Sequence, residues 1–291
     1  MTTKSLIRIG TRGSDLALWQ AHFVKDQLES RGVEVQIKII LTQGDKIQNL
    51  SFDKLEGKGF FTKEIEAALL DNQIDLAVHS HKDLETSQPE GLCIGAVSYR
   101  EDPSELLLIH KSAQDDSQKW GLKLGAIVGT SSARRKSILK ALRPDLNITD
   151  LRGNVPTRID KLRSGQYDAI LLANAGVRRL NLAIDDLYMQ ILDPSIFIPA
   201  PAQGVLGLQI RQNDSATQAL LEPLNHSDVA AQIAIERGVL QALEGGCQLP
   251  LGVYCSPKNI YVAHAQNAML PASFHEFERD TNVKDIIAAL Q

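Results

Sequence analysis

The sequence predicts an α/β protein of two similar lobes followed by a small α+β C-terminal domain. Short apolar segments alternate with amphipathic ones, the pattern of a largely parallel sheet covered by helices. Three short motifs of the first part return in the same order further along, at unequal offsets. That arrangement fits two lobes of one plan better than a solenoid of fixed period. Beyond the second lobe the pattern changes to one long helix, short alternating runs and a last helix. The expected boundaries are 1–98 with 201–222 for the first lobe, 103–197 for the second and 223–291 for the C-terminal domain.

The opening reads strand, turn, helix. Leu6, Ile7 and Ile9 precede Gly10-Thr11-Arg12-Gly13-Ser14, and Leu16, Trp19, Phe23 and Val24 follow at helical spacing, with Ser14 as N-cap. Val33 to Ile39 alternates cleanly and predicts a strand. The glycine-rich Glu56-Gly57-Lys58-Gly59 leads into a helix capped near Thr62, with Ile65, Ala68 and Leu69 on one face. Asp75-Leu76-Ala77-Val78 predicts a buried strand. The echoes begin at Ala126-Ile127-Val128-Gly129-Thr130-Ser131-Ser132, which repeats the first strand and its Gly-Thr turn. Leu151-Arg152-Gly153 with Thr157-Arg158 repeats Leu55-Glu56-Gly57 with Thr62-Lys63, and Gln166 to Leu171 repeats Gln73 to Val78. Pro199 to Gly207 is a Pro/Gly-rich crossing segment. A helix is expected from about Asp228 to Leu243, ended by Gly245-Gly246. Alternation around Val253-Tyr254 and Ile260-Tyr261-Val262 and a helix near Val283 to Leu290 complete the third domain.

Composition narrows the function. The formal net charge is −4, whereas a general nucleic-acid binder is usually basic. No apolar run approaches the length of a bilayer span. Lys4 and Arg8 interrupt the first residues, which therefore do not read as a signal peptide. Cys93, Cys247 and Cys255 form neither a CxxC pair nor an even disulfide framework, which predicts a reducing, cytoplasmic setting.

Two-lobed α/β proteins usually hold a ligand between the lobes, at the carboxyl ends of the strands. The polar residues fall after predicted strands: His79-Ser80-His81-Lys82-Asp83, Ser131-Ser132-Ala133-Arg134-Arg135 and Arg178-Arg179. Arginines 134, 135, 143, 152, 158, 163, 178 and 179 crowd one stretch of an acidic chain, which predicts a local anion site. Helix N-termini after the two Gly-Thr turns would add backbone donors. Arg143 and Arg163 are expected on solvated helix faces; Arg134, Arg135, Arg158 and Arg179 lie nearer strand ends or glycine turns. Asp83 is the leading acid, able to stabilise a cation and move a proton, with a helix cap or surface ion pair as the alternative. His79 and His81 lack companion ligands at metal spacing, so a structural role and no metal are expected. Cys247 follows a diglycine and reads as an accessible thiol, against the commoner fate of a small buried residue. No Walker loop or GxGxxG precedes a helix.

Taken together, these segments resemble the porphobilinogen deaminase family. The resemblance rests on Thr11-Arg12, Ser14, Leu16 to Ala21, Gly44-Asp45-Lys46, Gly57 to Phe61, Val78-His79-Ser80, Lys82-Asp83 and Arg100 to Pro103. It continues through Val128 to Ser132 with Arg134-Arg135, Arg143 to Leu146, Leu151 to Val155 with Thr157-Arg158, Tyr167 to Ile170, and Leu243 to Gln248 with Pro250. The motifs keep family order over nearly the whole chain. The resemblance implies two periplasmic-binding-protein-like lobes and a dipyrromethane cofactor thioether-linked to Cys247. It implies a transferase of heme biosynthesis that joins four porphobilinogen molecules head to tail into hydroxymethylbilane, releasing ammonia.

Asp83 is then the implied catalytic residue. Cys247, Lys82, Ser80, Ser131, Ser132, Arg134, Arg135, Arg152 and Arg158 are the implied cofactor residues, and Arg12, Ser14, Arg179 and Gln203 the implied substrate residues. The expected protein is a monomer acting on a small molecule, with no nucleic acid, membrane or metal partner. The residue types suit the chemistry: the product is a polyanion that calls for arginines, and the deaminated substrate is a cation that calls for a carboxylate.

The sequence departs from the family pattern at His81, usually methionine, at Leu84-Glu85, at Ala133 and at Pro201-Ala202-Gln203-Gly204, and its C-terminal domain is short. None of these removes a charged group from the expected site. A two-lobed solute-binding protein is the rival reading; it needs neither Asp83 nor Cys247.

Overall fold

A computed structural model of the chain describes residues 6–46, 61–243 and 249–290. In chain order the elements are β1 (Leu6–Thr11), α1 (Asp15–Glu29), β2 (Glu34–Ile39), α2 (Gln43–Lys46), α3 (Lys63–Leu70), β3 (Leu76–Ser80), a 3-10 turn His81–Asp83 and β4 (Leu92–Val97). Next come β5 (Glu105–Ile109), β6 (Ile127–Gly129), α4 (Ala133–Leu142), β7 (Asn147–Thr149), α5 (Val155–Arg163), β8 (Ala169–Ala173), α6 (Asn174–Leu180) and β9 (Tyr188–Leu192). The chain ends with β10 (Leu206–Arg211), α7 (Ser215–Leu221), α8 (Ser227–Ala242), β11 (Leu251–Cys255), β12 (Asn259–His264), β13 (Ser273–Glu278) and α9 (Val283–Leu290).

The chain forms two compact units. The first takes in the described residues up to 46, then 61–101 and 204–234; the second takes in 102–203 and the described residues from 235 onward. Each unit has a five-stranded sheet of the same plan, in the order β2-β1-β3-β10-β4 in the first and β7-β6-β8-β5-β9 in the second. In each sheet the second strand pairs parallel with its two neighbours, and the fourth strand runs antiparallel to both of its own. The sheets are therefore largely parallel, as expected, with one reversed strand apiece. In both units that strand, β10 or β5, is the first one formed after the chain changes unit.

The motif echoes have a structural meaning. Asp75 and Asp168 each follow a residue that fills the space above a strand glycine. A Cβ on Gly10 would stand 2.3 Å from the Ile74 side chain, and one on Gly129 would stand 2.8 Å from the Tyr167 ring. The carboxylate of Asp75 accepts from the backbone N–H of Arg8 at 3.0 Å, and that of Asp168 accepts from Ile127 at 2.8 Å. The return bonds match as well, from Asp75 N to Arg8 O at 2.8 Å and from Asp168 N to Ile127 O at 2.9 Å. The Leu55-Glu56-Gly57 member of the other echo lies outside the described residues.

Helices cover both faces of each sheet. In the first unit Ala21, Val24 and Leu28 of α1 pack on Ile7, Ile9, Leu76, Val78 and Leu208. On the opposite face Ile65, Ala68 and Leu69 of α3 pack on Ala77 and Leu92. In the second unit Ile138 and Leu139 of α4 share a core with Leu107, Val128 and Leu171, while Ile159 and Leu162 of α5 pack on Leu106, Leu108, Ile170 and Leu172. The C-terminal elements form an antiparallel sheet β11-β12-β13. Its inner face packs with Val239 and Leu240 of α8 and Ile286 of α9. Ala263 and Ala272 of this segment also join the α4-side core. No described helix is long and apolar enough to cross a membrane.

Strands β4, β5, β7, β9, β10 and β13 have no counterpart in the sequence reading. In β5 the reason is plain: every residue of Glu105-Leu106-Leu107-Leu108-Ile109 is buried, so the alternation that signals a strand is missing.

Candidate functional site

In the first unit the site residues gather where β1 and β3 end. Gly10 is level with Ala77 in the parallel pair, so Arg12 and Ser80 emerge at the same edge of the sheet. Ser14 caps α1, its Oγ accepting from Ala17 N at 3.4 Å. The buried Gln20 of α1 donates from Nε2 to Ser80 Oγ at 2.8 Å, which ties the helix to the strand end. The Arg12 guanidinium lies 4.1 Å from the centre of the Phe61 ring, a cation–π contact.

The turn carrying Lys82 and Asp83 is set by its flanks. In a 3-10 turn residues three apart eclipse, so His81 and Leu84 point the same way. Both are buried, at 4% and 2% exposure, and Gly207 beneath them has no Cβ to clash. His81 N donates to Val205 O at 2.9 Å and Leu84 N to His81 O at 3.2 Å. With these anchors inside, Lys82 is left half-buried and Asp83 exposed. His81 thus serves as one of the two anchors.

In the second unit α4 starts directly after β6, at the edge where β8 also ends. Ser132 caps α4, accepting from Arg135 N at 3.4 Å. Ser131 Oγ donates to Leu151 O at 3.0 Å and accepts from Leu151 N at 3.1 Å, so it anchors the loop that carries Arg152. Asn154 caps α5 through Thr157 N at 2.9 Å, and Arg158 Nε donates to Gly153 O at 2.7 Å. Arg152 and Arg158 are half-buried, and Arg179 of α6 is buried.

Sequence reading missed the centre of this cluster. Glu105, wholly buried, accepts from Arg134 Nη2 and from Arg135 Nη2, each at 2.6 Å. Gln203 Nε2 donates to the same carboxylate at 3.2 Å and to Pro103 O at 2.8 Å. Arg134, Arg135 and Gln203, three expected site residues, therefore meet on one residue that was not expected. Burial lowers the Arg134 pKa, with Glu105 acting against that shift, and the guanidinium stays charged. Two cations on one carboxylate leave a net positive charge. The available signal was a glutamate opening an apolar run, since a buried carboxylate needs cationic partners.

Arg143 corrects the expectation of a solvated helix face: it is only 5% exposed. Just past the end of α4, its guanidinium turns back to donate to the carbonyls of Lys119, Leu122 and Lys123 and to both oxygens of Asp145. The carbonyls of this loop, which must find donors when buried, drew it inward. Arg163 is exposed on α5, as expected, and pairs with Asp186 at 2.8 Å.

His79 bonds Gln209 Oε1 through Nε2 at 3.1 Å, and burial lowers its pKa to about 4. The Gln209 amide nitrogen already donates to Glu66 and Gln88, so its oxygen is the acceptor and His79 carries its proton on Nε2. Among the described residues no group of three His, Cys, Asp or Glu side chains is placed to hold a metal ion. Cys247, the Gly57-Lys58-Gly59 loop and Gly245-Gly246 lie outside the described residues.

Residues 7–219 match the family described as porphobilinogen deaminase, dipyromethane cofactor binding domain. Solved structures of similar shape include the periplasmic VFT2 domain of BvgS from Bordetella pertussis, at 12% identity and TM-score 0.46, covering 80% of this chain and 94% of that one. YhfZ from Shigella flexneri is 18% identical at TM-score 0.38, covering 84% and 98%. An ancestral cationic amino acid solute binding protein, AncCDT-1, is 15% identical at TM-score 0.45, covering 76% and 88%.

Proposed function

The chain belongs to the porphobilinogen deaminase family, and on that premise we propose that it is the transferase that condenses four porphobilinogen molecules head to tail into hydroxymethylbilane, with a dipyrromethane joined to Cys247. The observation that carries this reading is the family match over residues 7–219, within which Lys82 and Asp83 stand together on the turn after β3.

The described residues fit a group that bears acetate and propionate. The Arg134–Arg135–Glu105 cluster is net positive, and Arg135 Nε is a buried donor with no hydrogen-bond partner among the described residues. Lys82, Ser80, Ser132, Arg134, Arg135, Arg152 and Arg158 would hold the carboxylates, as point charges or planar forks. Ser131 gives its hydroxyl proton to Leu151 O, so its part is to fix the loop of Arg152. When bound, the group supplies a pyrrole carbon nucleophile.

The chain's own residues do the rest. Substrate carboxylates would meet Arg12, Ser14 and Arg179, while Gln203 acts through Glu105. In each condensation the bond from the substrate's aminomethyl carbon to nitrogen breaks, ammonia leaves and a carbon–carbon bond forms. The Asp83 carboxylate offers a fixed negative charge to the cation left by ammonia and accepts the proton released from the ring carbon. Its position is held by the buried His81 and Leu84 on either side. The net charge of −4 and the cysteine pattern support a cytoplasmic enzyme without a nucleic-acid partner, and we read it as a monomer.

The test is direct. Purified protein incubated with porphobilinogen should release ammonia and form tetrapyrrole. Its intact mass should exceed the sequence mass by one dipyrromethane, and Cys247→Ala should abolish the excess. Active protein of bare sequence mass would refute the cofactor assignment. Binding of porphobilinogen without ammonia release would instead favour a two-lobed anion-binding protein.

A further inference from the structure

Arg134 and Arg135 leave the first turn of α4 side by side and end on the two oxygens of one carboxylate, Oε1 and Oε2 of Glu105. The second nitrogen of each fork is also fixed: Arg134 Nη1 donates to Ile198 O at 3.0 Å and Arg135 Nη1 to Leu171 O at 2.8 Å. Glu105 opens the reversed strand β5 and pairs with Ala173, the last residue of β8, so it lies at the edge where α4 and α6 begin. Gln203 holds the carboxylate from another side.

Exposure in this cluster runs one way. The Glu105 side chain is 0% exposed, whereas the arginine side chains retain 6% and 8%. The carboxylate is therefore the most deeply buried of the three groups, and two guanidiniums on one carboxylate leave the cluster net positive. A carboxylate used only to neutralise two arginines would need no such arrangement, because it leaves one charge unbalanced in a buried place. Without Glu105 the two adjacent guanidiniums would repel each other with one backbone carbonyl apiece to hold them, and a ligand would have to supply the missing order.

We propose that Glu105 is a positioning residue, which holds Arg134 and Arg135 as a rigid pair of net positive charge for the carboxylates of the pyrrole ligand. This rests on the functional reading above. Its consequence is that changing Glu105 alters ligand capture in molecules that remain folded.

The experiment uses the full chain, produced in cells unable to make porphobilinogen and then incubated with porphobilinogen. The rate of adduct formation is followed by intact mass, alongside thermal melts. Glu105→Asp keeps the charge but withdraws it by one methylene. It should fold with little change in melting temperature and take up the adduct on the order of tenfold to a hundredfold more slowly. Glu105→Gln removes the charge and should be slower still, so that Glu105→Asp is a partial rescue. Should Glu105→Gln fail to fold, Glu105→Asp decides alone. Variants that melt lower but load at the wild-type rate would show a purely structural role and overturn the inference by itself. Wild-type protein that forms no adduct would overturn the functional reading, and this inference with it.

Discussion

Asp75 and Asp168 occupy the same place in the two units, each bonding back to the backbone of the second strand in its sheet's order, at Arg8 of β1 and at Ile127 of β6. Their surroundings differ. The Asp75 side chain is 3% exposed and also accepts from the Arg8 and Arg211 guanidiniums, at 2.8 and 3.1 Å. Asp168 is 22% exposed and pairs with an exposed Lys123 at 2.7 Å. The buried carboxylate takes charged hydrogen bonds from two guanidiniums that are themselves partly exposed, so Asp75→Asn should lose about 2–3 kcal/mol. Asp168→Asn should lose about 1 kcal/mol. Urea unfolding of both variants checks this, and equal losses would contradict the burial argument.

His79 should make the first unit sensitive to mild acid. Its folded pKa of about 4 lies below the ordinary value of 6.5, because burial disfavours the charged ring. Stability from the neutral ring is complete above 6.5 and is lost as the pH falls toward 4. The full effect is about 3 kcal/mol. Unfolding free energies measured from pH 7.5 to 4 should fall more steeply in the wild type than in His79→Leu. Parallel curves would mean that the ring titrates normally.

Arg143→Ala should be costly to stability. The change strips donors from three loop carbonyls and leaves Asp145 without its partner, a loss of about 3 kcal/mol. The Asp145 carboxyl, held at about 2 chiefly by the hydrogen bond from Arg143, should return toward the usual carboxylate range. Its stabilising contribution is present above about pH 4 and disappears as pH falls through 2, so the variant should lose that part of the acid limb. Turnover per folded molecule should stay near wild type. A melting temperature unchanged from wild type would contradict the buried placement.

Asp83→Asn should leave folding intact, since the side chain is exposed on its turn. Turnover of porphobilinogen should drop on the order of a hundredfold or more, the usual effect of removing a preorganised charge. Asp83→Glu should retain some activity and accumulate partial chains on the protein. Steady-state tetrapyrrole formation and intact mass measure both effects. An Asp83→Asn protein turning over at nearly the wild-type rate would place the essential carboxylate elsewhere.

Much of the fold was legible because its signals are local. The first strand, the Ser14 cap, the strand before Lys82-Asp83 and the α9 helix all follow from spacing and capping within a few residues. The duplicated plan was visible because both units need the same glycine and the same aspartate at the same joint. The reversed strands β5 and β10 were not visible, since neither strand direction nor strand order is written in local hydrophobicity.

By itself, then, the sequence determined the two-unit α/β plan, the family, and which acid and which arginines stand after strands, all of them properties of short segments read in order. Only the tertiary structure decided what those arginines do. Arg134 and Arg135 meet a glutamate 29 and 30 residues earlier in the chain, and Arg143 turns inward to a loop about 20 residues before it. A guanidinium on a helix looks the same in sequence whether it faces water or a buried carboxylate. The choice is made by the desolvation of whatever the fold brings beside it, here a glutamate set at a sheet edge by a strand that runs backwards.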